Sequence, residues 1–415
     1  MKRLSTAAGK TFRALSVRNY RLYFVGQVVS VSGTWMQTVA LALLVLSSKL
    51  HGTGVDVGIV TALQFLPMLL FGTWGGLAAD RLDKRRLLFA TQTSAAVLAL
   101  CLGILTLIGT IRLSEVYILA TLLGVVNMFD NPTRQSFVSE MVGNELLPNA
   151  VSLNSVLMNS ARVVGPAIGG LLIYSVGFAS CFLVNAGSYV AVIVALAMMR
   201  TRDLQKIQPA PKAKGQLREG LRYVWSTPQL RDPLLTMAIV GVFAFNFTVT
   251  LPLLAKFSFH GGAGTYSMFT AAMGSGAMVG GLIVAHRSRP STAMMARIGV
   301  LFSVTVLAVS IAPSQVLVTV SLVVMGIFSI SFIATANATL QLQADPTMRG
   351  RVMALYAIAF LGSTPIGAPL VGFISDATNP RVALAVGGIA ALAASIPLAI
   401  RYRNSRHQGV ALALD

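Results

Sequence analysis

Apolar runs of about twenty residues succeed one another along almost the whole of this 415-residue chain, and they restrict its fold more than any other feature. A helical run of that length crosses about 30 Å of hydrocarbon. Twelve spans are predicted, roughly 21–48, 56–79, 87–109, 115–138, 151–175, 179–200, 233–256, 264–286, 294–312, 315–338, 351–374 and 381–402. Composition agrees: the chain is 55% hydrophobic and 11% charged, against about 25% charged in an ordinary soluble domain. The expected fold class is an all-α membrane protein with twelve transmembrane helices.

The net charge of +19 would suit nucleic acid, but its placement argues for no such partner. With Met1 inside, all but five of the 32 Lys and Arg fall in cytoplasmic segments; Lys49, Arg112, Lys256 and Arg381 lie outside and Arg162 within a span. That asymmetry follows the positive-inside rule and places both termini in the cytoplasm, with the basic surface facing anionic membrane lipids. Cys101 and Cys181 each sit inside an apolar span without metal-ligand spacing and read as small buried hydrophobes. His51, His260, His286 and His407 lie near loops or the tail, and none suggests a metal site. Phe12 and Leu15, interleaved with Arg13 and Arg18, predict a short helix on the inner leaflet.

The one long loop, 201–232, is charged and contains Pro209 and Pro211, and Leu217, Leu221 and Val224 form an amphipathic turn between Arg218 and Arg222. It divides an N-terminal six-helix half (1–200, with 1–20 a cytoplasmic lead) from a C-terminal six-helix half (233–402) and a cytoplasmic tail (403–415). The halves repeat weakly. Gly75-Gly76-Leu77 is echoed by Gly280-Gly281-Leu282, the latter before basic Arg287 and Arg289. Gly124, Asp130…Arg134 and Gly170 are echoed by Gly326, Asp345…Arg349 and Gly372. Two pseudo-symmetric six-helix bundles with a central site form a transporter pattern.

Between spans 2 and 3 runs Gly72-Thr-Trp-Gly-Gly-Leu-Ala-Ala-Asp-Arg-Leu-Asp-Lys-Arg-Arg86. Gly72 and Gly76 share one helical face and permit close approach of a neighbour, whereas the turn carries more charge than a membrane anchor needs. The stretch resembles the loop 2–3 signature of the major facilitator superfamily through Gly76, Asp80, Arg81, Lys84 and Arg85, with Asp83 where that family usually has Gly. The resemblance implies a cytoplasmic latch between helix ends. Span 5 resembles the superfamily's antiporter signature through Ala161, Gly165, Pro166, Gly169 and Gly170, which implies efflux by exchange. Similar small-residue stripes in spans 2, 8 and 11 are expected at a sliding seam between halves.

Spans 1, 4, 7 and 10 should line the cavity. Span 1 carries Gln27, Ser30, Thr34 and Gln37 on one face; span 4 carries Asn127, Asn131 and Arg134 on another. Span 7 offers Phe243, Asn246 and Thr250, and span 10 offers Phe328, Ser331 and Thr335. Amides and aromatics with almost no charge suit an amphipathic small molecule. Asp130 and Arg134, four apart, can pair on one face, while Arg162 sits half-way along span 5, where an isolated guanidinium costs several kcal/mol. Asp130 is its expected partner. Asp130, Arg134 and Arg162 are thus candidates for a proton-coupling network reaching Asp80 or Lys84, the alternative being a static ion pair fixing helices 4 and 5.

Asn19-Tyr-Arg-Leu-Tyr23, Gly33-Thr-Trp-Met-Gln37, Asp130-Asn-Pro-Thr-Arg-Gln135, Asn154, Ala161-Arg162 with Gly165-Pro166, and Met348-Arg-Gly-Arg-Val-Met353 extend the resemblance over nearly the whole chain. They are similar to the branch that holds enterobactin exporters, transmembrane secretion effectors and drug-efflux members. The resemblance implies an exporter of the bacterial inner membrane, proton-coupled, for a siderophore or drug, with the proton gradient as energy source; a monomer without a cofactor is expected. Lysophospholipid flipping and a non-transporting receptor or scaffold are the alternatives. The sequence shows no nucleophile–base pair, phosphate loop or metal-ligand cluster, so no enzyme is expected.

Overall fold

The computed structural model describes residues 12–205, 216–285 and 290–402. The lead before Phe12, Pro209 and Pro211, His286, Arg287 and Arg289, the tail with His407, and the side chains of Leu217 and Arg218 lie outside the described residues. The described chain forms α1 (Arg18–Val45), α2 (Gly54–Arg81), α3 (Lys84–Ile108), α4 (Leu113–Ser175), α5 (Phe178–Ala197), α6 (Gln216–Ser226), α7 (Pro228–Phe243) and α8 (Phe247–Leu253). They are followed by α9 (Ala263–Ala285), α10 (Thr292–Ile311), α11 (Gln315–Gln343), α12 (Arg349–Leu361), α13 (Thr364–Ala377) and α14 (Pro380–Arg401). Eleven helical stretches among the described residues are long and apolar enough to cross a membrane. One of them, α4, has 63 residues, about 95 Å of helix at 1.5 Å per residue, enough for two crossings of a bilayer core. Its two arms are joined at Gly143, which has φ 70° and ψ 175°. Twelve crossings result.

The loop expected between spans 4 and 5 is therefore mostly helix. Glu140, Asn144 and Glu145 end the apolar run without ending the hydrogen-bond ladder, and Pro148 lies inside the helix. Only Gly143 interrupts it, in a backbone region that disfavours any side chain. The N–H of Gln205 donates to the carbonyl of Glu140 at 2.9 Å, and a Cβ at Gly143 would lie 2.8 Å from the Gln205 amide. Span 7 is divided: α7 ends at Phe243, and α8 continues into a short π-helical turn, Leu254–Ser258. The linker holds a helix of its own, α6, and span 7 begins at Pro228. The expected leaflet helix around Phe12 is a single 3-10 turn, Arg13–Ser16. It docks instead of floating, because Ala14 N–H donates to Asn149 Oδ1 at 2.8 Å and Arg13 pairs with Glu145 at 3.1 Å.

The chain separates into two compact units, residues 1–51 with 63–211, and 52–62 with 212–415. In the first unit α1 and α3 each pack on α4 and α5. In the second, α9 packs on α11, α10 on α11 and α14, and α7 on α12 and α14. The start of α2 belongs to the second unit: the Asp376 carboxylate accepts from the N–H groups of Gly54 and Val55, both at 2.8 Å. There a Cβ on Gly58 would overlap the Ala368 carbonyl, and one on Gly372 the Gly54 carbonyl. Linker helix α6 is held to the second unit by Arg351–Glu219 at 2.7 Å and by the Asp345 N–H donating to the Tyr223 hydroxyl at 3.2 Å. The Asp345 carboxyl accepts from the Thr347 hydroxyl and N–H, which hold it below the usual carboxylate range. Asp345 is exposed, so its resemblance to buried Asp130 ends at the sequence. Of the two cysteines, Cys181 is buried and Cys101 is exposed, correcting the expectation for the latter.

Glycine at position 143 is thus required by its dihedral angles, the exposed Gln205 amide being free to move aside. Gly143→Ala is expected to cost about 1–2 kcal/mol. Thermal unfolding of the purified protein in detergent measures it, and an unchanged midpoint would refute the strained-corner account.

Candidate functional site

Asp130, in α4's first arm, is 2% exposed. Burying a carboxylate is costly unless it is paired and hydrogen-bonded, and here it is both. Arg134, one turn later, donates from Nε at 3.0 Å and closes the pair through Nη2. From α3, Thr91 Oγ1 and Gln92 Nε2 each donate to Asp130 Oδ1 at 2.8 Å. Arg134 Nη1 donates in turn to Gln27 Oε1 of α1 at 2.6 Å. Helices α1, α3 and α4 are therefore joined at one charge. The satisfaction is incomplete: Tyr23 Oη, Gln27 Nε2 and Gln92 Oε1 are buried without a hydrogen-bond partner. Tyr23 meets Phe137, one turn below Arg134, edge-on at 6.1 Å. Buried polar atoms of this kind are the ones that ordered water satisfies.

Lys84 and Arg85 open α3, and neither reaches Asp130. Lys84 Nζ pairs with Glu140 of α4 at 2.6 Å, both side chains largely buried. Arg85 donates to the last carbonyls of α5, Nε to Leu196 at 2.7 Å and Nη2 to Ala197 at 3.3 Å. A guanidinium at a helix C-terminus is favoured by the free carbonyls and their dipole. Asp83 caps α3 by accepting from the Arg86 N–H at 2.8 Å with φ −62°, so the turn needs no glycine there. Asp80 and Gly76 are half-buried and Arg81 is exposed.

Arg162 is not in the Asp130 network. Its guanidinium lies over the Trp35 ring of α1, 4.9 Å from the centroid, and its Nε is buried with no hydrogen-bond partner. The reason is helical phase: Ala161, Gly165 and Gly169 press α4's second arm onto α1. A Cβ on Gly165 would sit 2.6 Å from both the Ser32 carbonyl and Trp35 Cβ, and one on Gly169 would meet Met36 at 3.2 Å. The antiporter-like stripe thus packs inside its own unit. So do Gly276 and Gly280 against the carbonyls of Val323 and Ile327, and Gly367 against that of Val242. In α2 the expectation fails, because among the described residues a Cβ on Gly76 would meet nothing and one on Gly72 only Met68 of its own helix, and the close approach is made by Gly75 to the Met128 carbonyl. Pro166 and Gly170 are buried alongside.

The polar face of span 1 is mostly engaged. Gln27 and Ser30 are buried, Thr34 Oγ1 lies 3.4 Å from the Tyr189 hydroxyl, and Gln37 Oε1 accepts from Asn185 Nδ2 at 2.7 Å. Gln37 also borders a small recess with Gln64. Asn127 and Asn131 are half-buried. In the second unit Asn246 Nδ2 donates to the Val242 carbonyl at 2.7 Å, one of those released by the break after Phe243. Thr250 Oγ1 donates to Asn246 O at 3.3 Å and Ser331 Oγ to Gly280 O at 3.4 Å, while Thr335 Oγ1 is buried without a partner. Phe243 and Phe328 are half-buried. The dominant aromatic feature is a different ring: Phe245 touches Phe247, Phe302, Phe332 and Phe360 at centroid distances of 5.0–6.4 Å. Sequence reasoning missed it, as it missed Thr91, Gln92, Glu140 and Trp35. A Thr-Gln pair inside an otherwise apolar third span was the available signal for the first two.

These residues lie in a chain that matches the transmembrane secretion effectors over residues 9–411. It belongs to that family, within the major facilitator superfamily. This transmembrane secretion effector is 28% identical to the multidrug efflux pump Tap of Mycolicibacterium fortuitum over 84% of its length and 87% of that chain. It is 24% identical to the enterobactin exporter EntS of Shigella flexneri over 90% and 89%. An alignment at 29% identity to an uncharacterized MFS-type transporter of Bacillus subtilis spans about half of each chain, 52% and 51%. In fold it is similar to the nucleoside transporter NupG, TM-score 0.72 at 11% identity, covering 94% and 99%. It is a multi-pass membrane protein of a transporter family.

Removing one partner of the buried pair strands the other. Asp130→Ala is expected to destabilise by about 3–5 kcal/mol, and Asp130→Ala with Arg134→Ala by less than the sum of the single changes. Unfolding of the four proteins in detergent reads the cycle, and additive losses would show that the pair is not coupled.

Proposed function

We propose that this protein is a secondary efflux transporter that exchanges protons for an amphipathic small molecule, a siderophore or a drug, by alternating access across the bacterial inner membrane. Support for the direction comes from family membership and from similarity to an exporter and an efflux pump over most of the chain. The observation that carries the coupling step is the buried Asp130–Arg134 pair with open polar atoms beside it. In this reading a proton from outside binds Asp130 and removes the charge that holds Arg134. The guanidinium then keeps Gln27 of α1 and loses its acid, so the α1–α4 contact is the element that changes. Release of the proton to the cytoplasm restores the pair. Lys84–Glu140 and the Arg85 contacts with α5 act as the cytoplasmic latch, each holding an end of α3 to a neighbour. No resident cofactor is needed, because the proton gradient supplies the work; the transporter acts as a monomer with both termini cytoplasmic.

Substrate-induced proton flux in proteoliposomes, with a pH-sensitive dye inside and a panel of siderophores, drugs and lysolipids, tests this directly. Flux is expected with one substrate class and is expected to fall at least tenfold in Asp130→Asn, from the usual contribution of a positioned proton-transfer group. Substrate movement that leaves the internal pH constant would refute proton exchange and favour lipid flipping or facilitated diffusion. No movement of any compound would favour a scaffold.

A further inference from the structure

Arg162 is an intramembrane charge of the first unit that the coupling reading leaves unused. It lies 13 residues before the end of α4 at Ser175, about 20 Å along the helix axis, and therefore deep in the hydrocarbon layer. Among the described residues its guanidinium meets no acid and no hydrogen-bond acceptor; the face of Trp35 is its one polar contact. Aromatic π-density offsets part of the charge but accepts no directed hydrogen bond from the fork of N–H groups. A side chain of this kind at mid-membrane depth is retained where something visits it.

Its surroundings show from which side. Ser152, Ser155, Asn159 and Arg162 are spaced three, four and three apart and so share one face of α4's second arm. Ser152 and Ser155 are exposed, Asn159 and Arg162 half-buried, so the protein does not cover this track. The two hydroxyls and the Asn159 amide donate back to their own helix, to the carbonyls of Pro148, Val151 and Ser155, and need nothing from a visitor. Phe24, Trp35 and Met158 are half-buried in the adjoining apolar cluster of α1 and α4. A polar track ending at an unpaired guanidinium and bordered by aromatic and thioether surface matches an amphipath whose head is an anion.

We infer that Arg162 with Trp35 is the head-group subsite of the transported substrate, and that the substrate carries an oxyanion, a carboxylate or a phosphate ester, on an apolar body. This rests on the efflux reading and narrows its substrate class. A planar guanidinium binds either oxyanion through two parallel N–H···O bonds, and the Nε now without a partner supplies one of them. A cationic amphipath meets like charge at the same place.

The test is equilibrium binding to the purified protein in nanodiscs, with Trp35 fluorescence as the signal in a Trp74→Phe, Trp225→Phe background. The probes are N-dodecanoylglycine, its primary amide, dodecyl phosphate and dodecylamine. The carboxylate is expected to bind about tenfold or more tightly than the amide, as for a charge-assisted hydrogen bond. Arg162→Gln should abolish that preference and Arg162→Lys should keep its order. Preference for dodecyl phosphate over the carboxylate would support the same subsite with a lipid-type head, and the reverse order a soluble acid. Equal binding of carboxylate and amide by the unsubstituted protein overturns the assignment without recourse to a variant, as does a carboxylate preference that survives in Arg162→Gln. Binding needs no transport. A preference lost in Arg162→Gln with no substrate movement in vesicles therefore defeats the efflux reading alone, while export of the amide without any oxyanion preference defeats the subsite alone.

Discussion

Close approach of helix backbones at glycine is the contact on which both units depend. In lipid there is little hydrophobic gain from joining two apolar helices, so association relies on packing that only small residues permit. Gly75 receives the Met128 carbonyl, and Gly124 on the helix of Met128 receives those of Leu63 and Gln64 in return. The second unit repeats the arrangement: Gly276 and Gly280 receive Val323 and Ile327, while Gly326 receives Met273. Each pair is reciprocal, and any side chain at these positions would separate the helices. The weak sequence repeat between the halves is thus a repeat of contacts.

That packing decides which polar groups can meet. With α4's first arm set against α2 and α3, Asp130 falls opposite Thr91 and Gln92 and its charge is fully partnered. With α4's second arm set against α1 through Gly165 and Gly169, Arg162 falls over Trp35 and away from every acid among the described residues. The two arms share one continuous helix broken only at Gly143, yet one buries a closed ion pair and the other an open cation. A closed pair responds to a change in its own charge; an open cation responds to the arrival of an opposite one. The difference is electrostatic and follows from the phase of the two arms about their axes.

Much of the fold was legible because its causes are periodic. Span length, the basic bias and the small-residue stripes each follow from the bilayer as solvent, and the helices fall within a few residues of the expected runs. What the sequence hid were features set by partners distant in the chain. Residues 139–150 look like a loop because their apolar run ends, but a polar helix continues at the membrane surface and only Gly143 breaks it. Arg162 looked like a partner for Asp130 because both are rare intramembrane charges; rarity carries no information about helical phase. The glycine stripes were expected at a sliding seam, whereas Gly165, Gly276, Gly280 and Gly367 each receive a carbonyl from their own unit and Gly72 and Gly76 receive none. Phe245, at the centre of an aromatic cluster, sits beside a helix break two residues after Gly241, and a lone Gly within an apolar run is a weak sign of a break.

In the proposed reading the same constraint separates coupling from recognition. A buried carboxylate held by Arg134, Thr91 and Gln92 has no accessible lone pair to spare for a substrate without first giving up a partner. An acid so fully engaged suits a proton, which is small and replaces the charge, and not a ligand, which must displace three donors. The guanidinium of Arg162 is the converse. It cannot be deprotonated in a protein, so it carries no proton cycle, but it has unused donors. One helix can therefore serve both tasks without the two ions competing for a single site. The distance between them is kept by the rigid stripe at Ala161, Gly165 and Gly169, which fixes the second arm to α1, while Gln27 of that same α1 holds Arg134. Helix α1 touches both charges, and it is the shortest physical route by which protonation at one and anion binding at the other can bias each other.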